Sequence, residues 1–212
     1  MSLATHNGEE MSGERSEHTV SRSAETAARR GILFRLSAAI ATGESVAAGL
    51  AAAATFSLLV VNIVTRSAGQ AVYWTDEAAI LAMVWMAFLA ASLTIHYRSH
   101  IAVTLVTDML RPCARLVFAI LVDAIMLTLM VIIGVLVWRW FDPVGLYRAG
   151  WDITAFASTT FNFMYEEPTM TIGIQKAWFW LIMPWFVIAA SIHCLSNLAG
   201  SVGEFRTSGR PA

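Results

Sequence analysis

Leu116 to Trp138 reads LVFAILVDAIMLTLMVIIGVLVW, an apolar run interrupted by a single ionisable residue, Asp123. At ~1.5 Å rise per residue, an α-helix of this length crosses a hydrocarbon core ~30 Å thick. Three further runs, at about 45–65, 78–96 and 177–199, have the same character and are long enough to cross or nearly cross such a core. The chain is therefore expected to be an all-α membrane protein with four transmembrane helices.

Composition agrees with this class. Of 212 residues, 57% are hydrophobic and only 14% charged, too few polar groups to cover a soluble domain of this size. The formal net charge is −1 and the arginines are spread over tails and loops, so no basic platform for nucleic acid is present. The two cysteines, Cys113 and Cys194, have no CxxC spacing and are read as free thiols. The first forty residues lack an early apolar core of the signal-peptide kind, so the first span is expected to direct insertion itself.

Counting arginine and lysine orients the chain. With the N-terminus inside, ten of the fourteen fall on inner segments and four on outer ones, Arg66, Arg139, Arg148 and Lys176. This bias predicts that both termini are cytoplasmic. Residues 1–22 are polar and aperiodic and are expected to be a disordered cytoplasmic tail. Residues 23–44 carry Ile32, Leu36 and Ile40 at four-residue intervals beside Arg29, Arg30 and Arg35, which predicts an interfacial amphipathic helix; the alternative is a cytoplasmic extension of the first span. Residues 45–199 are expected to form the four-helix domain and 200–212 a cytoplasmic tail.

Within the spans, Ser45, Gly49, Ala53 and Ser57 recur every four residues and suggest a face for close helix packing. Asn62 and Arg66 lie near the outer end of the first span. Trp74 suits the interfacial belt, Thr75 is expected to cap the second span, and Asp76 and Glu77 lie at the positive end of its dipole. His96, Arg98 and His100 sit at the opposite end, where cations are favoured. Asp123 is expected to reach the inner interface and pair with Arg115 or with a partner subunit; a proton-coupling role is the alternative. The outer segment 142–168 is rich in aromatic residues and is expected to contain a short amphipathic helix resting on the interface. Pro184 predicts a kink in the fourth span.

Asn62-x-x-x-Arg66, Trp74-Thr75-Asp76-Glu77, Trp85, Phe88-Leu89-Ala90-Ala91, Arg98-Ser99-His100-Ile101-Ala102-Val103 and Leu110-Arg111-Pro112 follow in one order, with Ile172-Gly173-Ile174 and Pro184 beyond them. The order and spacing resemble the small permease subunit of TRAP transporters, the DctQ-type family. Ala90 stands where that family often has Gly, and Thr104 where it often has Asp.

The resemblance implies a subunit of the bacterial inner membrane, not an enzyme and without a cofactor of its own. Its partners would be a large permease, expected to carry sodium coupling and the substrate site, and a periplasmic solute-binding protein delivering an organic anion. Asn62, Arg66, Trp74, Asp76, Glu77, Trp85, Arg98, His100, Asp123 and Pro184 are the residues expected to contact partners or form interfaces. Two other classes remain open. A haem-bearing anchor of a quinol-linked complex would use His96, His100 and His193, and a stand-alone proton-coupled exporter would rest on Asp123.

Overall fold

The computed structural model describes residues 6–98 and 112–208, with side chains over 31–98 and 114–206. Its helices are α1 (His6–Ser67), α2 (Trp74–His96), α3 (Pro112–Phe141), α4 (Pro143–Arg148), α5 (Ile153–Thr160), α6 (Ala177–Trp180) and α7 (Ile182–Ser208). The chain is helical, and four of its helical segments are long and apolar enough to span a membrane: 31–67, 74–96, 114–148 and 177–206.

α1 is continuous through both the stretch expected as an interfacial helix and the first span. No proline or turn sequence interrupts residues 23–67, and alanine is the strongest helix former. Within the chain, α1 packs through neither its apolar stripe nor its small-residue stripe. Ser37, Ala41, Glu44 and Asn62 are buried, whereas Ile32 and Leu36 point outward. The small-residue stripe at Ser45, Gly49, Ala53 and Ser57 is exposed, and a Cβ added at Gly49 would meet nothing within 4 Å. Polar bonding to α2 and α7, described below, selects the packed face over both apolar periodicity and residue size.

α7 is the organising element. It packs against α1, α2 and α3, and α1 packs along α2. Of the four spans it is the most buried within the chain and α1 the least. Ile95, Met130, Ala190 and Cys194 form the core where α2, α3 and α7 meet, with Phe186 packed against them and stacked edge-on to Phe88 at 5.3 Å. Gly134 of α3 lets α7 come close, because a Cβ there would stand 3.1 Å from Val187 Cγ1.

The kink expected at Pro184 appears as a break upstream of it. α6 ends at Trp180, Leu181 intervenes, and Pro184 lies in the first turn of α7. Proline has no N–H to give the carbonyl four residues back, so the helix is interrupted there, while a first-turn position tolerates it.

The outer segment 142–168 forms two short helices rather than one. Asp142, at φ 37°, caps α4 by accepting from Gly145 N at 3.0 Å, with Pro143 following at the first helical position. Asp152 caps α5 by accepting from Thr154 N and Ala155 N. The segment folds back onto the end of α3. Asn162 Nδ2 donates to Trp140 O at 2.7 Å and Tyr165 Oη to Phe141 O at 2.6 Å, satisfying carbonyls that a helix C-terminus leaves open. Phe156 is buried beneath the segment against Tyr165. Burial, and after it the neighbouring Asp142 carboxylate, pushes the Tyr165 phenol above its ordinary range.

Candidate functional site

Three polar clusters tie the helices together, one at the Trp74 end of the bundle and two at the His96 end. At the first, Asn62 of α1 donates to Thr75 Oγ1 at 3.0 Å and to Asp76 Oδ1 at 2.6 Å, while Arg66 pairs with Asp76 Oδ2 at 2.7 Å. The residues that begin the family-like pattern are thus one contact. Thr75 does not cap α2 as expected. Its hydroxyl donates to Val72 O at 2.6 Å and accepts from Asn62, and α2 starts after Tyr73 without a side-chain cap. Thr75 is fully buried, and its hydroxyl bonds Asn62 across helices instead of capping α2.

Glu77 does more than favour the helix dipole. Its carboxylate accepts from Met170 N at 2.7 Å, Thr171 N at 2.7 Å, Thr171 Oγ1 at 2.6 Å and Ile172 N at 3.3 Å. The grip fixes a tight turn whose base is closed by the Pro168–Gln175 bridge and by Lys176 pairing with Glu167, and whose apex, Met170, is 91% exposed. Such a ring of donors on one carboxylate is a strong, charge-assisted arrangement. Trp85 Nε1 donates to Phe179 O at 2.8 Å, joining α2 to α6 next to the break at Leu181. Trp74 itself is half exposed at the rim.

At the other end, Arg98 sits just past α2 at φ 51°, a left-handed conformation that turns the chain and swings its guanidinium across the bundle. Its Nη2 reaches Asp123 Oδ2 at 2.7 Å, Ser201 Oγ at 2.8 Å and Asn197 O at 2.5 Å. Ser201 also donates to Asp123 Oδ2 at 2.9 Å, and Asn197 Nδ2 donates to Ile95 O at 2.8 Å, closing the end of α2. The partner of Asp123 is therefore Arg98 rather than the expected Arg115, and one ion pair joins α2, α3 and α7. A cavity of about 50 Å³, room for one or two waters, has Arg98, Asp123, Asn197 and Cys194 in its wall.

The third cluster was only half visible in the sequence. Ser37 Oγ of α1 lies 3.0 Å from His96 Nδ1 and 2.7 Å from His193 Nδ1. The two Nδ1 atoms are 3.3 Å apart, and His193 Nε2 is 3.3 Å from Glu44 Oε2. His193 is 0% and Glu44 2% exposed. Among the described residues, Glu44 Oε1 and Ser92 Oγ are buried side-chain oxygens with no partner. Bringing the imidazoles together in this way differs from a bis-histidine haem site, in which a porphyrin plane would have to separate nitrogens that here stand 3.3 Å apart. No group of three or more His, Cys, Asp or Glu with metal-binding geometry occurs among the described residues. His100 lies outside the described residues.

The structure thus brings Asn62, Arg66 and Asp76 into one contact and Arg98 and Asp123 into another, while Glu77, Trp85 and Trp74 stand separately. Glu44, Ser37, Asn197, Ser201 and the 169–172 turn were missed. Glu44 did carry a signal, as a carboxylate on the edge of an apolar run and two helical turns after Ser37. In each cluster the bonds run between helices.

A family model described as "Tripartite ATP-independent periplasmic transporters, DctQ component" matches residues 55–203. Neither a curated protein nor a solved structure matches the chain. The matched stretch holds α2 and α3 entire, α7 up to residue 203, both ends of the Arg98–Asp123 pair and the Glu77 grip, and it is most of the sequence. The four-helix chain belongs to the DctQ component family of the tripartite ATP-independent periplasmic transporters, a family of transporter components rather than of enzymes.

Proposed function

We propose that the chain is the small membrane subunit that braces a large permease and helps dock a periplasmic binding protein, in a system that takes up organic anions. Both termini are cytoplasmic in this reading, the membrane is the bacterial inner membrane, and sodium coupling and substrate selection reside in the large permease. The observation that carries it is the distribution of polar groups. They link one helix to another at the two ends of the bundle, and between these ends α1 and α3 present bare apolar flanks, with Leu50, Phe56, Ile125 and Val131 all exposed. The outward stripe of Ser45, Gly49, Ala53 and Ser57 suits the close approach of a neighbouring helix backbone.

The rigid turn held by Glu77, with Met170 at its apex, supports a role at the outer face in docking the binding protein. Co-expression with the large permease and purification in mild detergent tests the reading. The two chains are expected to elute together, and uptake is expected to require both. Transport by this chain alone in proteoliposomes would overturn it. A periplasm-active reporter fused after Arg206 is expected to stay silent, and activity there would overturn the orientation.

A further inference from the structure

We propose that His96, Ser37, His193 and Glu44 form a proton wire ending on a buried proton-binding carboxyl, that of Glu44. The argument starts from a count of hydrogens. Ser37 Oγ, His96 Nδ1 and His193 Nδ1 lie within 3.3 Å of one another, and the hydroxyl has one proton to give. Two bare imidazole nitrogens cannot face each other across 3.3 Å and share that single donor, so one Nδ1 carries a hydrogen. The contact between His193 Nε2 and Glu44 Oε2 likewise needs one hydrogen between its two atoms.

With both imidazoles neutral, two arrangements satisfy every contact. In one, His96 Nδ1–H donates to Ser37, Ser37 donates to His193 Nδ1, and His193 Nε2–H donates to a carboxylate at Glu44. The cluster then carries one negative charge. In the other, Glu44 O–H donates to His193 Nε2, His193 Nδ1–H donates to Ser37, and Ser37 donates to His96 Nδ1. The cluster is then neutral.

One proton converts the first into the second. It enters at His96 Nε2, His96 passes its Nδ1 hydrogen to Ser37, Ser37 passes its own to His193 Nδ1, and His193 releases its Nε2 hydrogen to Glu44. His96, Ser37 and His193 each gain one hydrogen for the one they give up, Glu44 keeps the one added, and no bond other than those to hydrogen changes. His96 is the partly exposed member and therefore the entrance, while His193, Ser37 and Glu44 are buried. The partnerless Glu44 Oε1 marks the terminus, since a neutral carboxyl requires fewer partners than a carboxylate.

The ionisable groups come from each element packed here: Glu44 from α1, His96 from α2 and His193 from α7. α3 contributes Asp123, which Arg98 and Ser201 already hold. The ligand is thus a proton, taken up where α1 joins α2 and α7, and the inference does not depend on which partner the subunit serves.

Infrared difference spectroscopy of the full chain in lipid nanodiscs after a pH jump tests this. Acidification of the wild type is expected to raise the carbonyl stretch of a protonated, water-poor carboxyl. Glu44→Gln is expected to abolish that band and Asp123→Asn to keep it. Ser37→Ala is expected to slow its rise and Ser37→Thr to restore the rate. No such band in the wild type, or a band that survives Glu44→Gln, overturns the site, and an unchanged rise in Ser37→Ala overturns the wire. A measurement needing no variant uses nitrogen-labelled histidine NMR of the wild type: the His96 hydrogen is expected to move from Nδ1 to Nε2 as the band grows, and a fixed tautomer overturns the proposal.

Discussion

Removing the guanidinium of Arg98 tests the ion pair that joins three helices. Asp123 keeps 11% of its side chain exposed and Arg98 43%, so the pair lies between two regimes. Breaking a fully buried pair costs ~3–5 kcal/mol, and an exposed one contributes only ~0.2–1 kcal/mol. With one buried end and one half-exposed end, Arg98→Gln is expected to cost about 2 kcal/mol, since Asp123 is left with only the Ser201 hydroxyl. Asp123→Asn keeps an acceptor for Arg98 and Ser201 and is expected to cost about 1 kcal/mol.

Once either partner is gone, removing the other has less to break. The double variant should therefore cost about 2 rather than 3 kcal/mol, a coupling of about 1 kcal/mol or roughly fivefold in the folded-to-unfolded ratio. Unfolding the chain from mild detergent with increasing SDS, followed by circular dichroism, measures all four corners of the cycle. Strictly additive costs would refute the direct pairing. Arg98→Gly separates backbone from side chain, because relief of the left-handed conformation returns about 1 kcal/mol that Arg98→Ala does not.

Glu77→Gln is expected to loosen the 168–175 turn, seen as faster hydrogen exchange at the amides of Met170 and Thr171 with α2 unchanged. Gly145→Ala would place a Cβ 2.2 Å from Asp142 Oδ2, so the α4 cap is expected to open at a cost of about 1 kcal/mol or more, read as new proteolytic cutting between 142 and 150. Trp85→Phe removes the bond to Phe179 O, and the loss in SDS unfolding is expected to be ~0.6–1.7 kcal/mol. Because the Tyr165 phenol is raised, its contribution is complete below pH ~10 and is lost as pH climbs through the folded value. Alkaline titration by ultraviolet absorbance should show this late tyrosine, and Tyr165→Phe should remove it.

The four spans were legible because uninterrupted apolar length is enough to identify them. What apolar length conceals is which face is packed. A helix that is hydrophobic all round carries no moment to point at its neighbour, so the α1 stripe of small residues could not be distinguished from the face that holds Ser37 and Glu44. The sequence marks Asp123 as costly, but the nearest cation in sequence, Arg115, is not the one that pairs with it. The left-handed turn at Arg98 that delivers the guanidinium has no glycine or asparagine to announce it. The helix dipole is the only signal for Glu77 in the sequence, because three of its four donors are backbone amides more than ninety residues away, a type of contact that leaves no mark in residue identity.

The membrane-spanning part of α1, 31–67, is fastened towards both ends, by Ser37 and Glu44 at one and by Asn62 and Arg66 at the other, while most of the surface between them is bare. From Glu44 to Asn62 the separation is ~27 Å along the axis. Sliding the rod by a single residue would undo both fastenings at once, so its height is dictated by the protein and not by the thickness of the surrounding lipid. A neighbouring helix leaning on that bare flank would meet a strut of fixed length.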